Sequence, residues 1–291
     1  MVNQRLEVIN MAYPMLESPI GDRLYYDGNI IQKGTDTYED LFIPTEEVTY
    51  YETVRIKEGV LLYVEAHLDR LEKSVKGIED FPVDKEEIEK ISYDFLRNEF
   101  PDFKEGNLRI VLTKEHLLIH ICEANIPSEE LFEKGIETSI LKWDRVDPNI
   151  KVFRGDYKKA VADVFSKTNA YEVVLADSSD KLYEGSKSNL FVVKGNKVYT
   201  APDEKILLGI TRRRVLESLD KAGAELVVGM FSFEELKNDK NSALFVSSTP
   251  FDILPIRSVD GYVFDSAKDP MVRKIQQNYK EAMNEYINLR R

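Results

Sequence analysis

Tyr183-Glu184-Gly185-Ser186-Lys187-Ser188-Asn189-Leu190-Phe191 sets a carboxylate, a glycine and a short polar run directly before an apolar segment. The apolar run 189–193 reads as a strand. Gly195-Asn196 turns it into a second strand at 197–200. Upstream, 172–176 reads as a strand that Ser178-Ser179-Asp180-Lys181 turns as a hairpin loop. Taken alone, Glu184 could be an ordinary turn carboxylate.

Outward from this centre, strands and helices alternate irregularly. Asp27-Gly28 sits between β-rich runs at 23–31, a hairpin signal. Residues 48–56 are rich in Val, Tyr and Thr, and Glu58-Gly59 turns them into 60–64. A helix follows with Leu68, Leu71 and Val75 on one face. Asp84 is a good N-cap for another, with Ile88, Ile91 and Phe95 inward. Strands are expected at 108–113, 117–122, 136–143, 224–228, 243–248 and 253–256. Helices are expected from Asp156, over 211–222 and over 270–289. The fold class is α+β (mixed α/β) in two lobes. The polar, Pro-containing stretch near 123–137 places the boundary between a smaller domain, 1–130, and a larger one, 131–291.

The chain has 291 residues, 43% hydrophobic and 32% charged, with a formal net charge of −12. That composition suits a globular protein. An acidic chain without a basic cluster is a poor nucleic-acid binder, because it cannot replace the counterions along phosphates. The single cysteine, Cys122, lies in an apolar run and reads as a core thiol. No Cys/His cluster has zinc spacing, so no metal is expected. No run is long enough for a membrane helix, and MVNQRLEVIN does not read as a signal peptide, so a cytoplasmic location is expected.

Four segments, in order, resemble those of the class IV aminotransferases, a family that includes branched-chain and D-amino acid aminotransferases and aminodeoxychorismate lyases. Tyr51-Glu52-Thr53-Val54-Arg55 followed by His67-Leu68-Asp69-Arg70-Leu71 resembles the family's strand and "H-L-x-R-L" helix. Asn149-Ile150-Lys151 with the following Tyr157 resembles its lysine segment. Glu184-Gly185-Ser186-Lys187-Ser188-Asn189-Leu190-Phe191 resembles "E-G-x-x-S-N-[IL]-F". Leu208-Gly209-Ile210-Thr211-Arg212 resembles "G-I-T-R", with Phe245-Val246-Ser247-Ser248-Thr249 beyond it.

The resemblance implies a fold-type IV enzyme with pyridoxal 5′-phosphate (PLP) in a cleft between lobes. Lys151 would be the Schiff-base lysine, and its apolar neighbours Ile150, Val152 and Phe153 suit the partial burial that lowers an amine's pKa. Lys158 and Lys159 compete with it and are read as solvated. Glu184 would hold the proton on the pyridine nitrogen, and Tyr157 would meet the phenolic oxygen. Arg70, the Ile210 and Thr211 amides at a helix start, Ser248 and Thr249 would take the phosphate. Thr211 could equally be a simple N-cap.

The substrate side departs from the family. Glu46-Glu47-Val48-Thr49-Tyr50 stands where a Gly-Asp-Gly run is usual, and Thr113-Lys114-Glu115 where many members carry Thr-Arg-Gly. Pro250, which has no N–H, follows Thr249. Arg55, Arg109 and Lys114 are therefore the candidates for a substrate carboxylate. His67 and His120 are read as structural. The expected activity is transfer of an amino group between an amino acid and a 2-oxo acid by a homodimer. The alternative is an aminodeoxychorismate lyase releasing pyruvate and 4-aminobenzoate; a non-catalytic protein keeping the fold is the third reading.

Overall fold

The computed structural model describes residues 13–76, 78, 81 and 83–291. The opening stretch MVNQRLEVIN lies outside them. By internal contacts the chain divides into two compact units. The first comprises Met1–Asn125, Ile150–Lys158 and Leu289–Arg291, and the second Ile126–Asn149 and Lys159–Asn288.

The first unit carries β1 (Tyr13–Pro14), β2 (Arg23–Tyr26), β3 (Asn29–Gln32), α1 (Asp36–Asp40), β4 (Pro44–Thr45), β5 (Tyr50–Lys57), β6 (Val60–Leu61), α2 (Val64–Val75), α3 (Lys85–Glu99), β7 (Glu105–Leu112) and β8 (Leu117–Cys122). Six of the strands form one sheet in the order β3-β2-β8-β7-β5-β6. Its hairpins follow from local chemistry: Asp27 and Gly28 both take positive φ, as a two-residue hairpin turn requires. One face of the sheet is covered by α2 and α3, which bury Leu68, Leu71, Val75, Ile88 and Phe95 against Tyr50, Val54 and Ile56. The other face carries a second cluster, with Met15, Leu16, Leu24, Tyr38, Val111 and Phe153. Asp84 caps α3 by accepting from the Glu87 amide.

The second unit carries α4 (Glu129–Lys134), β9 (Ile136–Lys142), the body of α5 (Gly155–Lys167), β10 (Glu172–Ala176), β11 (Lys181–Gly185), β12 (Asn189–Lys194), β13 (Lys197–Thr200), α6 (Ile210–Ala222), β14 (Glu225–Val228), β15 (Phe231–Ser232), α7 (Phe233–Lys237), β16 (Ser242–Ser248), β17 (Asp252–Val259), β18 (Tyr262–Val263) and most of α8 (Pro270–Arg290). Ten strands form one sheet whose main path runs β14-β13-β12-β16-β17-β9-β10-β11-β15. A further pairing of β11 with β12 closes six of them into a ring. β10 and β12 are buried almost along their whole length, which explains why they read as apolar runs without alternation. The segment 181–185, expected to be loop and motif, is a strand.

Candidate active site

Lys151 is placed by strand geometry. The Tyr51 amide donates to the Lys151 carbonyl at 3.2 Å, and the Phe153 amide to the Thr49 carbonyl at 3.2 Å. With the Tyr50–Val152 bridge, these bonds lay residues 151–153 along the first residues of β5. Side chains alternate across such a pair, so Lys151 and Phe153 fall on the same side as Tyr51. The Tyr51 and Phe153 rings stack at 4.0 Å, only 4° from parallel. Lys151 Nζ sits 4.4 Å from the centre of the Tyr51 ring. Register puts Arg109 on that same side of β7, opposite Thr53. Its guanidinium lies 5.5 Å from the Tyr51 ring and 5.8 Å from Phe153. Burial lowers the pKa of the Lys151 amine; the Arg70 and Arg109 charges add to this, while Tyr51 and Glu52 act against it.

Glu52 points to the helix-covered face and is fully buried. Arg70 on α2 grips it with two bonds, Nε to Oε1 at 2.7 Å and a terminal nitrogen to Oε2 at 2.6 Å. His67 Nδ1 donates to the same Oε2 at 2.7 Å. Burial alone would raise the Glu52 pKa, but Arg70 and His67 outweigh it and hold the carboxyl at about 2. His67 and His120 are both buried.

In the second unit the run 184–189 is the closure of the strand ring. Glu184 pairs with Asn189 across β11 and β12, and the Gly185 amide donates to the Ser188 carbonyl at 2.7 Å. Each fixed residue type has a steric or hydrogen-bonding cause. A Cβ on Gly185 would stand 2.0 Å from Ser188 Oγ and 3.2 Å from the Glu172 carboxyl carbon. Ser188 donates to Glu172 at 3.0 Å. Asn189 Nδ2 donates to the Leu207 carbonyl at 2.8 Å, and a Cβ on Gly209 would meet Asn189 Oδ1 at 2.2 Å. Two motifs distant in sequence are thus one packed unit. Buried Glu184 accepts from Arg145 at 2.9 Å and from the Leu207 amide at 3.1 Å. Helix α6 starts at Ile210 with Gly209 as its N-cap. Thr211 is therefore its second residue, correcting the N-cap reading. The first amides of such a helix have no partner within it and favour an anion.

A model of amino-transferase class IV matches residues 49–259. The chain belongs to the class IV aminotransferases. Over 245 residues the aminotransferase is 25% identical to D-alanine aminotransferase of Bacillus licheniformis, covering 78% of this chain and 84% of the relative. Over 259 residues it is 24% identical to aminodeoxychorismate lyase of Bacillus subtilis, covering 81% and 86%. Among solved structures it matches the branched-chain amino acid aminotransferase of Escherichia coli, with a TM-score of 0.76 and 23% identity, over 91% of this chain and 95% of that one. At that identity the likeness is one of fold.

The remaining expected site residues of the aminotransferase fall as follows. Tyr157 is half-buried on the first turn of α5. Ser248 closes β16 and donates to the Lys187 carbonyl at 2.6 Å, and Thr249 lies in the turn after it. Arg55 is buried and bonded to Glu105 at 3.1 Å. Lys114 is exposed in the turn between β7 and β8. Of the three substrate candidates, Arg109 is the one in contact with the Tyr51 ring that Lys151 also touches. Lys158, expected to be solvated, is not. Its Nζ donates to Glu17 at 2.6 and 2.8 Å and to the Tyr13 hydroxyl at 2.6 Å, while lying over the Tyr13 and Phe153 rings. Glu17 and Tyr13 carried no sequence signal, because they meet Lys158 only through tertiary folding.

Proposed function

We propose that the protein is a PLP-dependent aminotransferase in which Lys151 holds the cofactor and moves the proton of the reaction. The observation that carries this is the enclosed Lys151 amine against the Tyr51 ring, its pKa lowered chiefly by burial. An amine must be neutral to act as nucleophile or base.

The residues fit pyridoxal phosphate on chemical grounds. The group needs a lysine able to lose its charge, a carboxylate for its ring nitrogen and donors for a phosphate. Lys151 meets the first need. Glu184, buried and already fixed by Arg145 and the Leu207 amide, meets the second. The free amides at Ile210 and Thr211, with Ser248, Thr249 and Arg70, meet the third. Tyr157 would donate to the phenolic oxygen. Bound there, the cofactor supplies the electron sink that lets a substrate Cα release its proton.

The chain's own residues do the rest. The neutral Lys151 amine takes the proton from the substrate Cα and returns it two atoms along, on the far side of the amino nitrogen, a 1,3-shift. Glu184 keeps the ring nitrogen protonated. Glu52 fixes Arg70 in one orientation, so the guanidinium needs no ordering when an anion arrives. Arg55, Arg109 and Lys114 are the candidates for a substrate carboxylate, and Arg55 and Arg109 already carry Glu105 and Glu17. We include in the proposal a homodimer working in the cytoplasm.

The test is spectroscopic. Purified protein should take up PLP and absorb in the visible, and Lys151→Ala should lose that band. A protein that stays colourless with added PLP would refute the proposal. The lyase relative gives the second reading a foothold, and that reading uses the same lysine and cofactor. Amino-group exchange between an amino acid and a 2-oxo acid supports the first; release of pyruvate from aminodeoxychorismate supports the second.

A further inference from the structure

Glu17 is bonded through both of its carboxylate oxygens. Its Oε2 accepts from Arg109 at 2.6 Å and from Lys158 at 2.8 Å. Its Oε1 accepts from Lys158 at 2.6 Å and from the Tyr13 hydroxyl at 2.5 Å. Burial pushes its pKa up, but Lys158, Tyr13 and Arg109 together pull it down to about 2. Glu17 is thus a permanent anion held from three sides. Lys158 spends its three donor directions on Glu17 and Tyr13, so it offers none to a substrate.

Arg109 stands at the junction of two spaces. Its guanidinium and Lys151 Nζ both lie against the Tyr51 ring, 5.5 and 4.4 Å from its centre. On the aminotransferase reading, a substrate held at Lys151 that reaches Arg109 along the ring meets Glu17 with it, because the two are bonded. Beyond lies a cleft of about 590 Å³ whose lining includes Glu17, Ile20, Arg109, Cys122, Glu123 and Asn125. Arg109 alone would invite a carboxylate. With Glu17 already on it, and Glu123 on the wall, the cleft lining presents two carboxylates against one guanidinium, while Lys158 bonds Glu17 from outside that lining.

We infer that Glu17 is a specificity-determining residue: it neutralises Arg109 and directs the cleft to substrates whose side chain is uncharged or basic, against those ending in a second carboxylate. This rests on the aminotransferase reading, because that reading places the substrate at Lys151. A second carboxylate meets a fixed like charge, the repulsive element from which discrimination is built.

Two measurements test it. With one amino donor, kcat/KM is compared for 2-oxoglutarate and for 2-oxohexanoate, which has a neutral side chain of similar length. Wild type favours the neutral acid, and Glu17→Gln shifts the ratio toward the dicarboxylic acid by about ten- to a hundredfold. Independently of turnover, calorimetry compares glutarate and hexanoate binding to both proteins; glutarate gains about tenfold or more in the variant. Thermal melts establish that Glu17→Gln is folded. If neither protein transaminates but glutarate binding rises, the function falls and the cleft assignment stands. The inference is overturned if wild type already prefers the dicarboxylic acid, a result that needs no variant. It is equally overturned if Glu17→Gln changes neither the ratio nor glutarate binding.

Discussion

The Arg70 guanidinium and the Glu52 carboxylate meet through two bonds of 2.7 and 2.6 Å, with Glu52 fully buried. Removing the charge from one partner leaves the other charged and poorly matched in a low-dielectric place. Glu52→Gln keeps the shape but turns an amide toward Arg70 or His67. The expected cost is about 3 kcal/mol. Urea unfolding at pH 7 reads it, and a midpoint equal to wild type would show that the pair contributes nothing.

The glycine in the 184–189 closure is a steric requirement. Gly185→Ala drives a methyl into Ser188 Oγ and costs about 2 kcal/mol or more. The backbone there has no need of left-handed φ, so relieving the clash should recover stability. Ser188→Ala removes the offending oxygen and should restore part of the loss in the double variant. A double-mutant cycle on melting temperature measures this coupling. Purely additive effects would show that the close approach is not what the glycine serves.

These two clusters were unequally legible in the sequence. Glu184, Gly185, Ser188 and Asn189 are close in sequence because they build one turn, so their spacing survives as a readable motif. Gly185 hid the end of β11, since it looks like a loop residue while 181–185 pairs with β10 and β12. Arg109 could not be ranked above Arg55 and Lys114, because the choice depends on register between β5 and β7, and no local pattern states register. Lys158 was misread because its partner Glu17 lies 141 positions earlier. A lysine on an amphipathic helix reads as solvated unless a distant carboxylate is known to arrive.

Lys158 gives a direct check of that last point. Lys158→Met keeps the stem over the Phe153 ring and removes all three donated bonds. Glu17 then keeps only Arg109 and Tyr13. Because Lys158 is partly exposed, the expected loss is modest, about 1–2 kcal/mol. Chemical denaturation measures it, and a variant as stable as wild type would return Lys158 to the solvated class.

His120 sets how stability changes in mild acid. Its ring is buried beside Arg109, and burial first, then that charge, lower its pKa to about 3. Its Nδ1–H donates to the Ile121 carbonyl at 3.0 Å. The folded protein keeps the ring neutral down to about pH 3, while the unfolded chain protonates it below the ordinary 6.5. The contribution is therefore full above pH 6.5 and is lost as pH falls toward 3. Between pH 7 and pH 5 that loss is about 2 kcal/mol. Glu17 and Glu52, held at about 2, add their own losses only once the unfolded carboxylates begin to protonate near 4.5. The interval from 6.5 to 4.5 thus isolates the histidines. His67, also lowered mainly by burial, acts with the same sign. His120→Asn keeps a donor near the Ile121 carbonyl and removes the titration. Urea unfolding at pH 7 and pH 5 should show the variant losing about 2 kcal/mol less than wild type across that step. An identical loss in both proteins would mean that His120 is protonated in the folded state.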